Sequence, residues 1–260
     1  MSLAAESLAY GWPGRTIGRG LSFAIEPGEV VALLGPNGTG KTTLIRTLLG
    51  LLAPHAGRVT IEGRDLARLS RAEAARRLAY VPQAVPSPFP FTVAEVVLMG
   101  RAAHLGPFSR PGRRDRAAAE AAIARVGIAH LADRPFTAVS GGERQLTLIA
   151  RALAQGGRVM VLDEPTASLD FGNQVRVLEL IASLARDGAG VLFTTHDPDH
   201  AFLVADRVLL LKDGTLLAAG TPRETITEET LYALYGVGVR IVEVADGAGR
   251  RLVCLPRAAA

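Results

Sequence analysis

The chain has 260 residues, 48% of them apolar, enough to bury the core of one large domain or of a core domain with a subdomain. No apolar run approaches the ~18–20 residues of a membrane span, and a single cysteine, Cys254, excludes an internal disulfide. The net charge of +4 is carried almost wholly by arginine, with lysine only at Lys41 and Lys212, and no run of five like charges marks a nucleic-acid-binding tail.

The first residues lack the basic flank and apolar stretch of a secretory leader, so a soluble chain in a reducing, cytoplasmic compartment is expected. In chain order, residues 30–34 read as a buried strand, 35–40 as a glycine-rich turn and 41–49 as a helix. Gly35-Pro36-Asn37-Gly38-Thr39-Gly40-Lys41-Thr42 fits G-x-x-x-x-G-K-[ST] in the strand–helix context that this pattern needs. The glycines let successive backbone N–H groups turn inward as an anion nest, and the following helix points its positive end at the same spot. Lys41 can then reach the β- and γ-phosphates, and the Thr42 hydroxyl is placed to ligate Mg²⁺. Residues Gly35 to Thr42 and the adjoining Thr43 are assigned to nucleotide binding.

Short strands follow over 58–61 and 78–81, and prolines at 82, 86, 88 and 90 then break the pattern. From 92 to 154 alanine, arginine and glutamate recur at helical spacing, interrupted near 106–112, as in an inserted helical subdomain. The arginine-rich stretch 110–116 reads as a loop. Within this region Ser140-Gly141-Gly142-Glu143 opens a helical run and forms a second anion nest by the same physics. One γ-phosphate does not need two nests from one chain, so the second is expected to close on the nucleotide of a second copy.

Strands resume over 159–162 and 190–195, each followed by a helix, which indicates an α/β core with a parallel sheet. The first ends in Asp163 and Glu164, a costly place for charge unless it is used. Asp163 suits a Mg²⁺-holding carboxylate, and Glu164 can accept a proton from the attacking water. Strands 208–211 and 216–219 flank a hairpin turn, and the weakly alternating tail beyond 235 adds another hairpin.

Together these motifs resemble the ATP-binding cassette (ABC) family, whose signature Leu-Ser-Gly-Gly-Gln is matched apart from Val139 and Glu143. Val139 keeps the apolar anchor, and Glu143 lies beyond the serine and glycines that face phosphate. The resemblance runs over residues 3–235. It implies a P-loop NTPase (RecA-like) parallel-sheet core with an N-terminal antiparallel β subdomain over 1–88 and 157–235, an inserted helical signature subdomain over 89–156, and a C-terminal tail over 236–260. It further implies that Gln83 is the glutamine that senses Mg²⁺, that Ser168-Leu169-Asp170 crosses a dimer interface toward the partner's ATP, and that His196 is the switch histidine that contacts the γ-phosphate. Tyr10 resembles the aromatic residue that stacks on adenine, with Trp12 as the alternative. The implied cofactors are ATP and Mg²⁺, and the implied partner is a second copy arranged head to tail.

A lone phosphate loop without membrane helices resembles neither fused exporters nor tandem translation-factor cassettes. The stretches 92–101, 169–174 and 194–201 resemble cassettes of type II importers for iron–siderophore, haem, cobalamin or molybdate-type cargo. The chain is therefore expected to be the ATPase subunit of an importer, peripheral on the cytoplasmic face of a bacterial inner membrane. It would bind separate permease subunits, reach a substrate-binding protein only indirectly, and bind no nucleic acid. Phe89, Phe91, Val93 and Met99 are candidates for the permease contact. A soluble cassette ATPase working on nucleic acid is the alternative that the basic charge favours. A small-molecule kinase leaves Ser140, Gly141 and Gly142 unexplained, and a silent copy would not retain Lys41, Asp163, Glu164 and His196 together.

Overall fold

The computed structural model describes residues 2–83, 90–106, 108–167, 169–247 and 249–257. In chain order the strands are β1 (Leu3–Trp12), β2 (Arg15–Ile25), β3 (Val30–Leu34), β4 (Ala56–Ile61), β5 (Arg64–Asp65), β6 (Leu78–Val81), β7 (Val159–Leu162), β8 (Gly190–Thr195), β9 (Arg207–Lys212), β10 (Thr215–Gly220), β11 (Val239–Asp246) and β12 (Gly249–Pro256). The helices are α1 (Lys41–Leu48), α2 (Arg71–Ala75), α3 (Val93–Leu98), α4 (Arg113–Val126), α5 (Gly141–Gln155), α6 (Phe171–Arg186), α7 (Pro198–Val204), α8 (Pro222–Thr225) and α9 (Glu228–Tyr235).

The central sheet has the order β10-β9-β3-β8-β7-β6, parallel from β9 through β6, with β10 antiparallel at one edge. Its inner strands are buried on both faces, as continuous apolar runs such as Val-Val-Ala-Leu-Leu require. Alternation then sorts their side chains into two cores. Val30, Ala32, Leu34, Val81, Met160, Leu162 and Phe193 face one side, where α6, α7 and the helical insertion pack. Val31, Leu33, Leu78, Val159, Val161 and Leu192 face the other, where Leu44, Ile45 and Leu48 of α1 lie between this sheet and a second one. That second sheet, order β2-β1-β4-β5, is antiparallel and contributes Leu3, Leu8, Leu21, Ile25 and Ile61. Fold class and both hairpins agree with the sequence reading.

The helical insertion shares the first core: Val93, Val97, Ile123, Leu131, Phe136 and Ile149 are continuous with the sheet residues. Its helices start on capping groups, Thr92 with Glu95 for α3 and Ser140 with Glu143 for α5. One expectation needs correcting: Arg113, Arg114 and Arg116 belong to the first turn of α4, not to a loop. Asp115 makes that possible, because its carboxylate caps the Gly112 N–H at 3.0 Å and pairs with Arg101 at 3.1 Å. Of the apolar candidates for a permease contact, Val93 is buried in this core, Phe91 (38%) and Met99 (43%) are exposed, and Phe89 lies outside the described residues.

Candidate active site

The parallel order places the C-terminal ends of β3, β8, β7 and β6 side by side at one edge, where α/β sheets form their sites. From β3 the chain enters the phosphate loop. Gly38 (φ 84°) and Gly40 (φ 95°) hold left-handed conformations that expose successive N–H groups, and Gly40 caps α1. A Cβ on Gly35 would lie 2.5 Å from the Leu211 carbonyl, and one on Gly40 would lie 2.6 Å from Ile17. Both positions therefore exclude a side chain. Thr39 Oγ1 donates to the Pro36 carbonyl at 2.9 Å, and Asn37 and Gly38 form the exposed tip.

Lys41 opens α1 and is only 5% exposed. Its ammonium donates to the carbonyls of Gly35 (2.6 Å) and Pro36 (3.1 Å) and lies 3.6 Å from Glu164 Oε1. Burial lowers the ammonium pKa, while Glu164 and Asp163 oppose that shift. Thr42, half-buried, and Thr43, buried, follow on the first turn of α1.

β7 delivers the two carboxylates. Asp163 is 2% exposed, and its Oδ1 accepts from Thr194 Oγ1 at 2.8 Å. The same hydroxyl accepts the Glu164 N–H at 2.7 Å, which holds Glu164 in a left-handed conformation (φ 47°) uncommon outside glycine. That turn carries the Glu164 carboxylate to the centre of the site. Gln83 Nε2, just past β6, donates to its Oε2 at 3.3 Å, and His196 Nδ1, just past β8, approaches the same oxygen at 3.7 Å. Lys41, Gln83, Glu164 and His196 thus meet although they are scattered along the chain. Thr194 is the residue the sequence reading missed; its only local signal is the Thr194-Thr195 pair ending a buried strand.

Thr42, Gln83 and Asp163 offer hard oxygen donors, which suit Mg²⁺ better than a metal that prefers nitrogen or sulfur. The buried Asp163 carboxylate, with one hydrogen bond from Thr194, is also chemically suited to hold a cation or its water.

The second nest lies on the helical insertion. Ser140 caps α5, its Oγ accepting the Glu143 N–H at 3.3 Å and its own N–H donating to Glu143 Oε2 at 2.7 Å. Ser140 and Gly141 are exposed, while Gly142 lies so near Asn173 that a Cβ there would come within 2.9 Å of Nδ2. Asn173 is in turn bonded to Asp170, the exposed N-cap of α6 (2.8 Å), so the second nest and the Leu169-Asp170 turn form one surface. Ser168 lies outside the described residues.

Tyr10 requires a correction. It is 0% exposed, its ring wedged against Gly18 and Gly40 beneath the phosphate loop, so it presents no face for a base to stack on. Trp12, at the end of β1, is 42% exposed and lies under the Arg46 guanidinium of α1, 5.6 Å from its centroid.

A phosphate-binding loop closed by a buried lysine, facing an acidic strand end, defines a P-loop nucleoside triphosphatase. Residues 19–167 match the family model described as ABC transporter. The chain is 43% identical to the hemin import ATP-binding protein HmuV of Nocardia farcinica over 243 residues, covering 93% of this chain and 83% of that protein. It is 36% identical to the iron(3+)-hydroxamate import ATP-binding protein FhuC of Bacillus subtilis over 255 residues, covering 98% and 94% respectively. Its fold is similar to that of a protein described as a metal-chelate type ABC transporter in an inward-facing conformation, with TM-score 0.89 and 34% identity over 99% of this chain and 98% of that one. The chain belongs to the ABC transporter family, as an ATP-binding and ATP-hydrolysing import subunit. These relatives support the import reading and give no support to the nucleic-acid alternative. Subunits of this kind work with membrane permeases, and among the described residues no helix is long and apolar enough to cross a membrane.

Proposed function

We propose that two copies of the chain clasp two ATP molecules head to tail, each phosphate loop facing Ser140, Gly141 and Gly142 of the other copy, with Asp170 beside them. The observation that carries this reading is the pairing of two half-sites in one chain. One is the cluster of Lys41, Gln83 and His196 around Glu164, and the other is the exposed Ser140–Gly141 nest joined to the Asp170 turn. Lys41 and the loop N–H groups hold the β- and γ-phosphates. Glu164 accepts a proton from the attacking water and His196 contacts the γ-phosphate. Thr42, Asp163 and Gln83 would hold Mg²⁺, which when bound would neutralise the phosphate oxygens. Trp12, rather than Tyr10, offers the aromatic face to the base.

On this reading the dimer sits on the cytoplasmic face of a bacterial cell membrane, docked to separate permease subunits that receive cargo from a binding protein. Phe91 and Met99, both exposed, are the candidates for the permease contact. The cargo class is a metal chelate or a related oxyanion, such as an iron–siderophore, haem, cobalamin or molybdate. Its support is the hemin and iron-hydroxamate import named for the relatives above.

The test is Glu164→Gln, which keeps the shape and removes the base. It should bind ATP, hydrolyse it about 10²–10⁴-fold more slowly and run as a dimer with ATP and Mg²⁺. Tagged and recovered from detergent-solubilised cells with ATP, it should bring down a multi-helix membrane protein. Monomer alone on sizing would overturn the clasp, and recovery of soluble or nucleic-acid-bound partners alone would overturn the importer assignment.

A further inference from the structure

The His196 side chain is 58% exposed, and its approach to Glu164 is a loose 3.7 Å. A ring so little enclosed by packing takes its direction from its backbone. His196 lies between the end of β8 and Asp197, the N-cap of α7, and its carbonyl accepts a hydrogen bond from the Tyr235 hydroxyl at 3.1 Å. Tyr235 lies 39 residues further along the chain and packs against the first core. It is the last residue of α9, a helix anchored by buried Leu231 and Leu234 and ended by left-handed Gly236.

The same C-terminal segment takes hold of the switch a second time, three residues on. The Cys254 N–H of β12 donates to Asp199 Oδ1 at 2.9 Å, and β11 is tied back to α9 by the Ile241 N–H on Glu228 at 3.1 Å. From the inner side, His200 Nδ1 lies 3.1 Å from Thr195 Oγ1 and 3.3 Å from Thr166 Oγ1, linking the ends of β8 and β7. The switch is therefore held to the carboxylate strand on one side and to the C-terminal segment on the other.

We propose that Tyr235 is a positioning residue for His196: its hydroxyl fixes the His196 carbonyl and thereby aims the imidazole at Glu164 and the γ-phosphate. Burial pushes the phenol up, with Asp197, Cys254 and Glu164 adding to the shift, so it stays a protonated donor across the working range. The inference rests on the role proposed above for His196.

The test measures steady-state ATP hydrolysis by the purified chain for Tyr235→Phe, His196→Ala and the double variant. Tyr235→Phe keeps the ring and its packing and loses only the donor. Its kcat should fall about three- to tenfold, the span of one hydrogen bond expressed in the transition state, with KM for ATP within about twofold of the parent. In the His196→Ala background the same change should have no further effect, because Tyr235 acts only through His196. Tyr235→Phe turning over at the parental rate while His196→Ala has lost activity would overturn the positioning role alone, as would effects that multiply in the double variant. His196→Ala hydrolysing at full rate would instead remove the role of His196, and this inference with it.

Discussion

Thr194 is 0% exposed, and its one hydroxyl serves two site residues: it donates to Asp163 Oδ1 at 2.8 Å and accepts the Glu164 N–H at 2.7 Å. Thr194→Val keeps the shape and removes both bonds. Loss of a donor to a charged carboxylate costs about 1.5–3 kcal/mol, and an orphaned, partly buried N–H costs about 1–3 kcal/mol, together about 2.5–6 kcal/mol. Glu164 recovers part of this if its left-handed backbone (φ 47°) relaxes, an offset of about 1–2 kcal/mol. A net destabilisation of about 0.5–5 kcal/mol follows, or a fall in Tm of roughly 1–20 °C for a chain of this size. Thr194→Ser is the control, since it keeps the hydroxyl and loses one methyl, worth about 1 kcal/mol. Urea and thermal unfolding of the two variants, with ATPase rates beside them, separate the terms. Thr194→Val should be the less stable and should lose hydrolysis, and Thr194→Ser should keep most of both. Equal stability of the two variants would show that the hydroxyl does not hold the carboxylates.

Trp12→Ala should weaken ATP binding by roughly five- to 150-fold, since stacking of a base on an aromatic ring contributes about 1–3 kcal/mol. Tyr10→Phe should leave affinity unchanged and stability equal or higher, because the Tyr10 hydroxyl is buried without a hydrogen-bond partner among the described residues; calorimetric titration and unfolding measure both, and reversed outcomes would restore Tyr10 as the stacking residue. Burial lowers the His200 pKa below its ordinary value, with Asp197 and Asp199 opposing the shift and His196 adding to it. As pH falls below about 6.5 the unfolded chain takes up the proton first, so stability is full above that pH and declines toward the folded-state pKa. His200→Gln, which cannot titrate, should flatten the decline in urea midpoint between pH 7.5 and 5.5, and an unchanged slope would count against the buried neutral imidazole.

The phosphate loop was legible because everything it needs is local: a five-residue apolar strand, glycines at the left-handed positions and a helix start. The strands 78–81, 159–162 and 190–195 coincide with β6, β7 and β8 because proline, glycine or charge bounds each apolar run. The burial of Tyr10 is hidden in the sequence for an equally local reason. β1 slips its register between Ala5 and Leu8, between Leu8 and Tyr10, and between Tyr10 and Gly11, so Leu8 to Gly11 are all buried and alternation no longer tells which aromatic faces out. No composition or spacing marks such slips. The contacts of Thr194 with Asp163 and Glu164 and that of Tyr235 with His196 join residues 31, 30 and 39 positions apart, and neither end carries a pattern that names the other.

What assembles the site is adjacency in the sheet, not order in the chain. Lys41, Gln83, Glu164 and His196 follow β3, β6, β7 and β8, which lie in the order β3-β8-β7-β6 with all four C-terminal ends at one edge. Neighbouring strand ends are separated by about 4.8 Å, so Gln83, Glu164 and His196, one or two residues past their strands, fall within reach of one another, while the phosphate loop turns back from β3 to bring Lys41 to the same place. Lys41 and Glu164 come from strands with β8 between them, and this gap explains the unusual backbone at Glu164. A residue continuing straight on from β7 would project outward, whereas the left-handed turn at φ 47° brings the carboxylate back to within 3.6 Å of the lysine. The strain at Glu164 is the geometric consequence of bridging a strand, and the Thr194 hydroxyl, on the strand being bridged, is where the fold can hold it in place.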